Sequence, residues 1–346
     1  MKRLVFLIAA ALVAGSAFGQ TTMTQIFKID EGGSLPWFTN DNTCRGMALN
    51  PVTGHLLLVD RDGTGNVVHR LDSATGAEIL PPLDSSIYSG GTHVISKIAI
   101  ATDGTIYVCN LAIAGANFKI YKYTDEEAVP TVCFDDPASA ARRGDSIAVT
   151  GVGVNTKLLV NGFMAFVGDF AILTTTDGNT FTATTITPAG LTATNHYSQW
   201  DTDGVKYWVS KLAATVDGVT TPVLFNALNA VDRIVVCPVV GGGFSVQNVT
   251  FEAVTVKLLG LTPGAVAASL VDVPGAVFIL NPSSVTYTFT TTGLEKAGGA
   301  NDNGNGTGDV AFDGPGKKVY FLYTNNSVSG WNMPSSTSVS DWNLFF

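Results

Sequence analysis

The feature that most constrains this chain is a pattern of short apolar runs and turns, first seen between Arg45 and Glu78. Apolar runs at residues 46–49, 55–59 and 67–71 are separated by turns rich in Asn, Pro, Thr, Asp and Gly. Runs of this length between such turns are typical of antiparallel hairpins. The pattern therefore predicts short strands that pair with their neighbours along the chain.

The pattern recurs along the whole sequence. The repeats begin near residues 46, 97, 146, 197, 263 and 309, mostly about 45–65 residues apart, and this period with three or four strands is typical of a β-propeller blade. We therefore expect an all-β fold in which residues 20–346 form a single domain, a six-bladed β-propeller. The alternative is a seven-bladed ring in which residues 213–230 hide a further blade; a β-helix or paired sandwiches come third.

The two ends of the chain complement each other. Thr24–Asp30 alternates apolar and polar residues, as a half-buried strand does, and it precedes the first full repeat. The last repeat is short by one strand. We expect the N-terminal strand to supply it and close the ring, because closure removes unpaired sheet edges that invite aggregation.

Residues 1–19 have the features of a secretory signal peptide. Lys2 and Arg3 precede the apolar run Leu4–Ala14, and Ala17-Phe18-Gly19 supplies small residues at a cleavage site. The apolar run is shorter than the ~20 residues that a membrane span needs. We expect cleavage after Gly19, a secreted or periplasmic location, and no membrane span in the mature chain.

The net charge of the chain indicates which classes of partner it can bind. The formal net charge is −9, and loss of Lys2 and Arg3 with the signal peptide would make it −11. An acidic chain without a basic cluster argues against nucleic acid as a partner. A protein, glycan or small-molecule ligand remains.

The cysteines of an exported protein can form disulfides. The chain has Cys44, Cys109, Cys133 and Cys237, none spaced as a zinc motif requires. Cys109 and Cys133 lie within one repeat and are the expected disulfide pair; buried free thiols are the alternative.

One Asn- and Gly-rich segment has features of a calcium loop. Oxygen ligands at alternate positions with a Gly at the sixth let hard oxygens converge on Ca²⁺. The ligands in that interpretation are Asn301, Asn303, Asn305, Thr307 and Asp309. Three of them are neutral Asn, and the twelfth position is Phe312 rather than Glu. The alternative is a loop that leads into an inner strand.

In a propeller, the start of each innermost strand lies around the central axis. The predicted ligand-binding residues at this tunnel mouth are Arg45, Lys97, Asp145, Gln199 and Asp309, with His196, Trp200 and Asp201 beside Gln199. A polar ring with both signs of charge suits a binding site. The sequence contains no GxSxG elbow and no paired carboxylates, so no catalytic residue is predicted.

Thr175–Phe181 is close to an Asp-box turn, which is a structural element.

Three segments resemble the blades of secreted bacterial propellers of the NHL, YVTN and SMP-30-like kind: residues 45–59, 101–108 and 312–320. Together with residues 303–312, they make the chain most similar to an uncharacterised family of exported propellers, a domain of unknown function. The resemblance covers residues 24 to about 333. It implies a scaffold that serves elsewhere for binding and for several hydrolase activities, and the fold does not decide among these.

The leading functional hypothesis is therefore a non-enzymatic exported propeller that binds a ligand. The rival is a metal-dependent propeller hydrolase of the lactonase type, which would need three or four oxygen or nitrogen ligands converging on the axis. A third hypothesis is a structural subunit of an extracellular layer, which would expose an apolar patch near residues 342–346.

Overall fold

The structure is a computed structural model. It describes residues 24–61, 65–113, 115–139, 142–161, 170–189, 196–200, 204–211, 215–216, 219–220, 223–234, 245–252, 255–261, 276–280, 286–290, 297–298, 308–313 and 318–332. The predicted signal peptide, the tail from residue 333 and Cys237 lie outside these ranges.

In four blades, both the backbone and the side chains of every strand are defined. Blade 1 consists of β2 (Cys44–Leu49), β3 (His55–Asp60), β4 (Val67–Asp72) and β5 (Glu78–Ile79); blade 2 of β6 (His93–Ile100), β7 (Ile106–Leu111), β8 (Phe118–Tyr123) and β9 (Thr131–Asp136); blade 3 of β10 (Ser146–Thr150), β11 (Lys157–Asn161), β12 (Phe170–Thr174) and β13 (Thr182–Ile186), with a 3-10 helix at Gly153–Asn155; and the closing blade of β1 (Thr24–Asp30), β24 (Gly308–Asp313), β25 (Lys318–Tyr323) and β26 (Ser327–Asn332).

The predicted blade count is corrected. The structure is an all-β propeller in which four blades are fully defined, rather than six or seven equivalent ones. Two further four-stranded sheets are described mainly by their backbone pairing: the β14 sheet, with β14 (His196–Trp200), β15 (Tyr207–Lys211), β18 (Val223–Phe225) and β19 (Val231–Ile234), and the β20 sheet, with β20 (Ser245–Glu252), β21 (Thr255–Leu261), β22 (Ala276–Leu280) and β23 (Thr286–Thr290). The insertion at residues 213–230 forms no seventh blade, because its described residues supply β18 and the two-stranded ribbon of β16 (Thr215–Val216) and β17 (Val219–Thr220).

Alternating side chains of β3 explain why its sequence is apolar throughout. Leu56 and Leu58 pack in the cluster shared with the closing blade. Leu57 and Val59 point the other way, into the cluster shared with blade 2. Successive side chains of a strand face opposite sides of its sheet, so a strand buried between two neighbouring blades needs apolar residues at every position.

The N-terminal strand completes the closing blade. β1 pairs antiparallel with β26, from Thr24 opposite Asn332 to Asp30 opposite Ser327. The ring of Phe27 stacks on that of Tyr320 with centroids 6.4 Å apart. The first and last described strands, β1 and β26, therefore lie in one sheet. No helix in the described ranges has the length and apolar character that a membrane crossing requires.

The predicted disulfide is absent: Cys109 and Cys133 are buried free thiols, as is Cys44. Cys109 lies on β7 and Cys133 on β9, and β8 runs between them. Two strand spacings amount to about 9.5 Å, which is beyond the ~7 Å that a disulfide can span between Cα atoms. Burial raises the pKa of both thiols to about 12.

Candidate functional site

Two of the predicted axial residues meet in a buried ion pair. The Nζ of Lys97 on β6 lies 3.3 Å from Oδ2 of Asp309 on β24 and donates to the carbonyl oxygen of Gly308 at 2.9 Å. Both side chains are almost fully buried. The pair therefore connects the inner strands of blade 2 and the closing blade, which lie on either side of blade 1.

Blade 1 contributes a backbone donor to the same carboxylate. The amide of Met47 donates to Oδ2 of Asp309 at 3.0 Å, and the amide of Val310 donates to Oδ1 at 3.0 Å. Buried charges are tolerated only when they are paired and hydrogen-bonded. Asp309 meets that requirement by holding three inner strands together.

Gly46 allows these strands to approach each other. A Cβ at this position would lie 3.1 Å from both the Cα of Lys97 and the carbonyl oxygen of Ser96. That separation is tighter than ordinary packing. The glycine in the first repeat thus lets β2 and β6 pack backbone to backbone at the axis.

Burial dominates the electrostatics of the pair. It lowers the pKa of Lys97 and raises the pKa of Asp309, and the charge of each partner opposes the change in the other. The nearby cations Arg45 and Arg61 also lower the pKa of Lys97. Lys97 and Asp309 each stabilise the charged form of the other, so the pair is engaged before any ligand arrives.

The other predicted mouth residues are more accessible. Arg45, Asp145 and Gln199 are half-buried. Nε of Arg45 donates to the carbonyl oxygen of Asn42 at 2.9 Å. Asp145 is held by Arg142, whose Nε and terminal nitrogen donate at 2.7 and 2.9 Å. We call Arg45, Asp145 and Gln199, three half-buried residues in or next to the inner strands β2, β10 and β14, the rim.

The remaining predicted site residues have different positions. His196 lies on β14, opposite Lys211. Trp200 is buried, with its ring 6.3 Å from that of Tyr207. Asp201 and the calcium-loop residues Asn301, Asn303, Asn305 and Thr307 lie outside the described residues. Within the described ranges, no three His, Cys, Asp or Glu side chains are grouped as a metal site would require.

The sequence did not indicate several polar residues near the axis. Arg61 is buried and donates to Oγ of Ser96 at 3.4 Å. Asp60, buried at the end of β3, lies 3.9 Å from Nε2 of His69. Asp60 ends the second strand of blade 1 and Arg61 follows it, whereas the prediction considered only the starts of first strands.

Comparison with known proteins supports the fold and not a function. No protein-family model matches the sequence, and no curated protein does. The chain is similar to the crystal structure of a DUF4623 family protein from Bacteroides eggerthii, with a TM-score of 0.61 and 15% identity over 91% of this chain and 77% of that one. It is also similar to a chain of a mitotic checkpoint complex (TM-score 0.51, 11% identity, 97% and 99% covered) and to a streptogramin B lyase (TM-score 0.50, 11% identity, 89% and 97% covered).

These structural similarities support only part of the family resemblance inferred from the sequence. The similarity to the DUF4623 family protein, at 15% identity, supports the β-propeller fold that the resemblance implied. The finer resemblance to NHL, YVTN or SMP-30-like propellers is not confirmed by these matches. At such low identity, structural similarity shows the fold alone.

Proposed function

We propose that this chain is an exported, non-enzymatic β-propeller that binds a ligand at the rim formed by Arg45, Asp145 and Gln199. The observation that carries the proposal is the buried Lys97–Asp309 pair, whose hydrogen bonds span three inner strands. Inner strands that are held rigidly together and carry half-buried polar side chains are suited to a preorganised binding site.

The state of the charged groups favours binding over catalysis. A general acid or base must be able to exchange its proton with a substrate. Lys97 and Asp309 are buried in a mutual pair, and Asp145 accepts two hydrogen bonds from Arg142. In this proposal these groups hold the rim in place, and Arg45 and Gln199 contact the ligand.

The chemistry of the rim limits the ligand class. Arg45 offers guanidinium donors, and Gln199 offers both an amide donor and an acceptor. Such a rim suits a polar ligand, and the overall charge of −9 disfavours nucleic acid. We propose a protein, glycan or small polar molecule outside the cytoplasm, reached through cleavage after Gly19.

The test uses the mature chain from Gln20 and an Arg45→Ala/Gln199→Ala variant. Both are applied to one glycan array and to one culture supernatant, with Lys318→Met in the closing blade as the control. We expect a ligand that the wild type and the control retain, that the double variant loses, and whose mass is unchanged after incubation. No capture, equal capture by the double variant, or conversion of the ligand would contradict the proposal.

A further inference from the structure

A cleft with both polar and apolar lining opens between blade 3 and the β14 sheet, and neither Lys97 nor Asp309 lines it. It has a volume of about 490 Å³ and lies among the turns that connect β10 to β11, β12 to β13 and β14 to β15. Its lining includes Thr150, Val154, Asn155, Lys157, Thr174 and Gly204. Clefts of roughly 300–1,000 Å³ are the usual size of small-ligand sites.

Three polar side chains in this cleft have no partner within the described part of the chain. Thr150, Asn155 and Thr174 make no side-chain hydrogen bond there, although all three line the same cavity. Thr175, by contrast, is fully used by its own turn, where its hydroxyl donates to Asp177 and accepts from Gly178. Two hydroxyls and one amide therefore remain available to a ligand.

Lys157 adds a positive charge to the same cavity. Its Nζ donates to the carbonyl oxygen of Gly204 at 3.1 Å and lies 6.0 Å from the centre of the Trp200 ring. An ammonium has three N–H donors, so this bond leaves others for an anion. No Asp or Glu is among the described residues that line the cleft, although the chain carries a net charge of −9.

The edge of the cleft is apolar. Val154 lines it and is 55% exposed, and Val152 and Val205, next in sequence to the lining residues Gly151 and Gly204, are 38% and 47% exposed. A ligand that fits must combine hydroxyl groups, an anionic group and an apolar face. A sugar acid has all three, since its ring carries hydroxyls at the edge and C–H groups on its faces.

We propose that this cleft is a binding site for an acidic saccharide. The carboxylate pairs with Lys157, ring hydroxyls bond to Thr150, Asn155 and Thr174, and a C–H face packs on Val154. Gly204 keeps the site open, because a Cβ there would lie 2.9 Å from the Thr150 hydroxyl. Nothing in this proposal depends on the axial rim.

Calorimetric titration of the mature chain with trigalacturonate tests it. We expect binding at millimolar concentration or below, weakened about tenfold in Lys157→Met and a few-fold in Thr174→Val, because a charge-assisted hydrogen bond contributes more than a neutral one. The fully methyl-esterified trisaccharide, which keeps the ring and loses the charge, should bind about as weakly to wild type as trigalacturonate binds to Lys157→Met. Thr182→Val, on the exposed face of β13, and Lys318→Met should bind as the wild type does.

Each other outcome overturns the assignment. No binding of trigalacturonate, or equal binding by Lys157→Met with an unchanged unfolding midpoint, would remove the site. Equal affinity for the methyl ester would mean that Lys157 recognises no anion. Competition by acetate or inorganic phosphate at the same concentration would show a simple anion site and rule out saccharide recognition.

Discussion

Two junctions between neighbouring sheets show how this fold can either close or open the space between its turns. Between blades 1 and 2, Glu126 is buried and accepts hydrogen bonds from Asn50 and Thr53 at 2.7 and 2.5 Å, while its second oxygen lies 2.7 Å from Nδ1 of His55. Between blade 3 and the β14 sheet, the turns leave a cleft in which the side chains of Thr150, Asn155 and Thr174 make no hydrogen bond within the described residues. We call these the sealed junction and the open junction.

The difference lies in one buried carboxylate. Glu126 comes from the β8–β9 turn of blade 2 and draws in the β2–β3 turn of blade 1, because a buried carboxylate needs donors. Arg70 adds to the seal by binding the carbonyl oxygen of Pro81, with Nε at 2.9 Å, and by pairing with Glu127. At the open junction, the bond from Lys157 to Gly204 is a direct polar bridge across the cleft. A single buried side chain of suitable charge can therefore close the space between two neighbouring sheets, and without one the space stays open as a cleft.

The largest effect is expected at the axis on the sealed side. Lys97→Met leaves Asp309 buried without its cation, and we expect a loss of about 3–5 kcal/mol in the free energy of unfolding. Lys157→Met removes a half-exposed lysine at the open junction and should change it by less than about 1 kcal/mol. Urea unfolding of the mature chain measures both. Similar losses in the free energy of unfolding for Lys97→Met and Lys157→Met would contradict the distinction between the buried axial pair and the open junction.

A smaller effect is expected from the seal itself. Glu126→Ala leaves Asn50 and His55 without their acceptor, and we expect a loss of about 2–3 kcal/mol. Glu127→Ala removes an adjacent carboxylate that is largely exposed and should cost under about 1 kcal/mol. If Glu127→Ala destabilised the protein as much as Glu126→Ala, burial would not be what makes the seal.

A matched pair of threonines sharpens the comparison. The Thr53 hydroxyl donates to Glu126, so Thr53→Val should cost about 1 kcal/mol. The Thr174 hydroxyl makes no hydrogen bond within the described residues, so Thr174→Val should change the free energy of unfolding by no more than about 0.5 kcal/mol. A large loss from Thr174→Val would show that the open junction depends on this hydroxyl for its own stability.

The smallest effect is a pH dependence beside the cleft. The backbone amides of Thr180 and Asn179 donate to Asp177 at 2.8 Å and hold its pKa well below the usual range. Since the folded state favours the carboxylate, this stabilisation is present above the unfolded pKa of about 3.9 and is lost as pH falls below it. The unfolding midpoint of wild type should exceed that of Asp177→Asn at pH 7, and the difference should shrink between pH 4 and 2. A difference that grows on acidification would show that these hydrogen bonds do not lower the pKa of Asp177.

Much of the fold could be predicted, because strand patterns are local. The runs 46–49, 55–59 and 67–71 correspond to β2, β3 and β4 within one or two residues, and β1 occupies the predicted Thr24–Asp30. The number of equivalent blades could not be predicted, since the later repeats lose the regular pattern. The predicted Cys109–Cys133 disulfide was wrong for a similar reason. Proximity in sequence does not show that β8 separates the two strands that carry these cysteines.

The sites were harder to predict, because they depend on contacts between repeats. Lys97 and Asp309 could be placed at the axis from their strand positions, but not their pairing across blade 1. Glu126 and Lys157 carry no motif at all. Each matters through a turn in another sheet, and one sequence does not show which turns face each other.

Hydrogen exchange of the mature chain with and without trigalacturonate tests the contrast between the two junctions most directly. We expect ligand-induced protection in residues 150–157 and 174–175, and none in residues 50–55 and 124–130, because Glu126 already engages the polar side chains of the sealed junction. Ligand-induced protection at the sealed junction, or no protection at the open junction while the saccharide is bound, would contradict the proposed contrast between the two junctions.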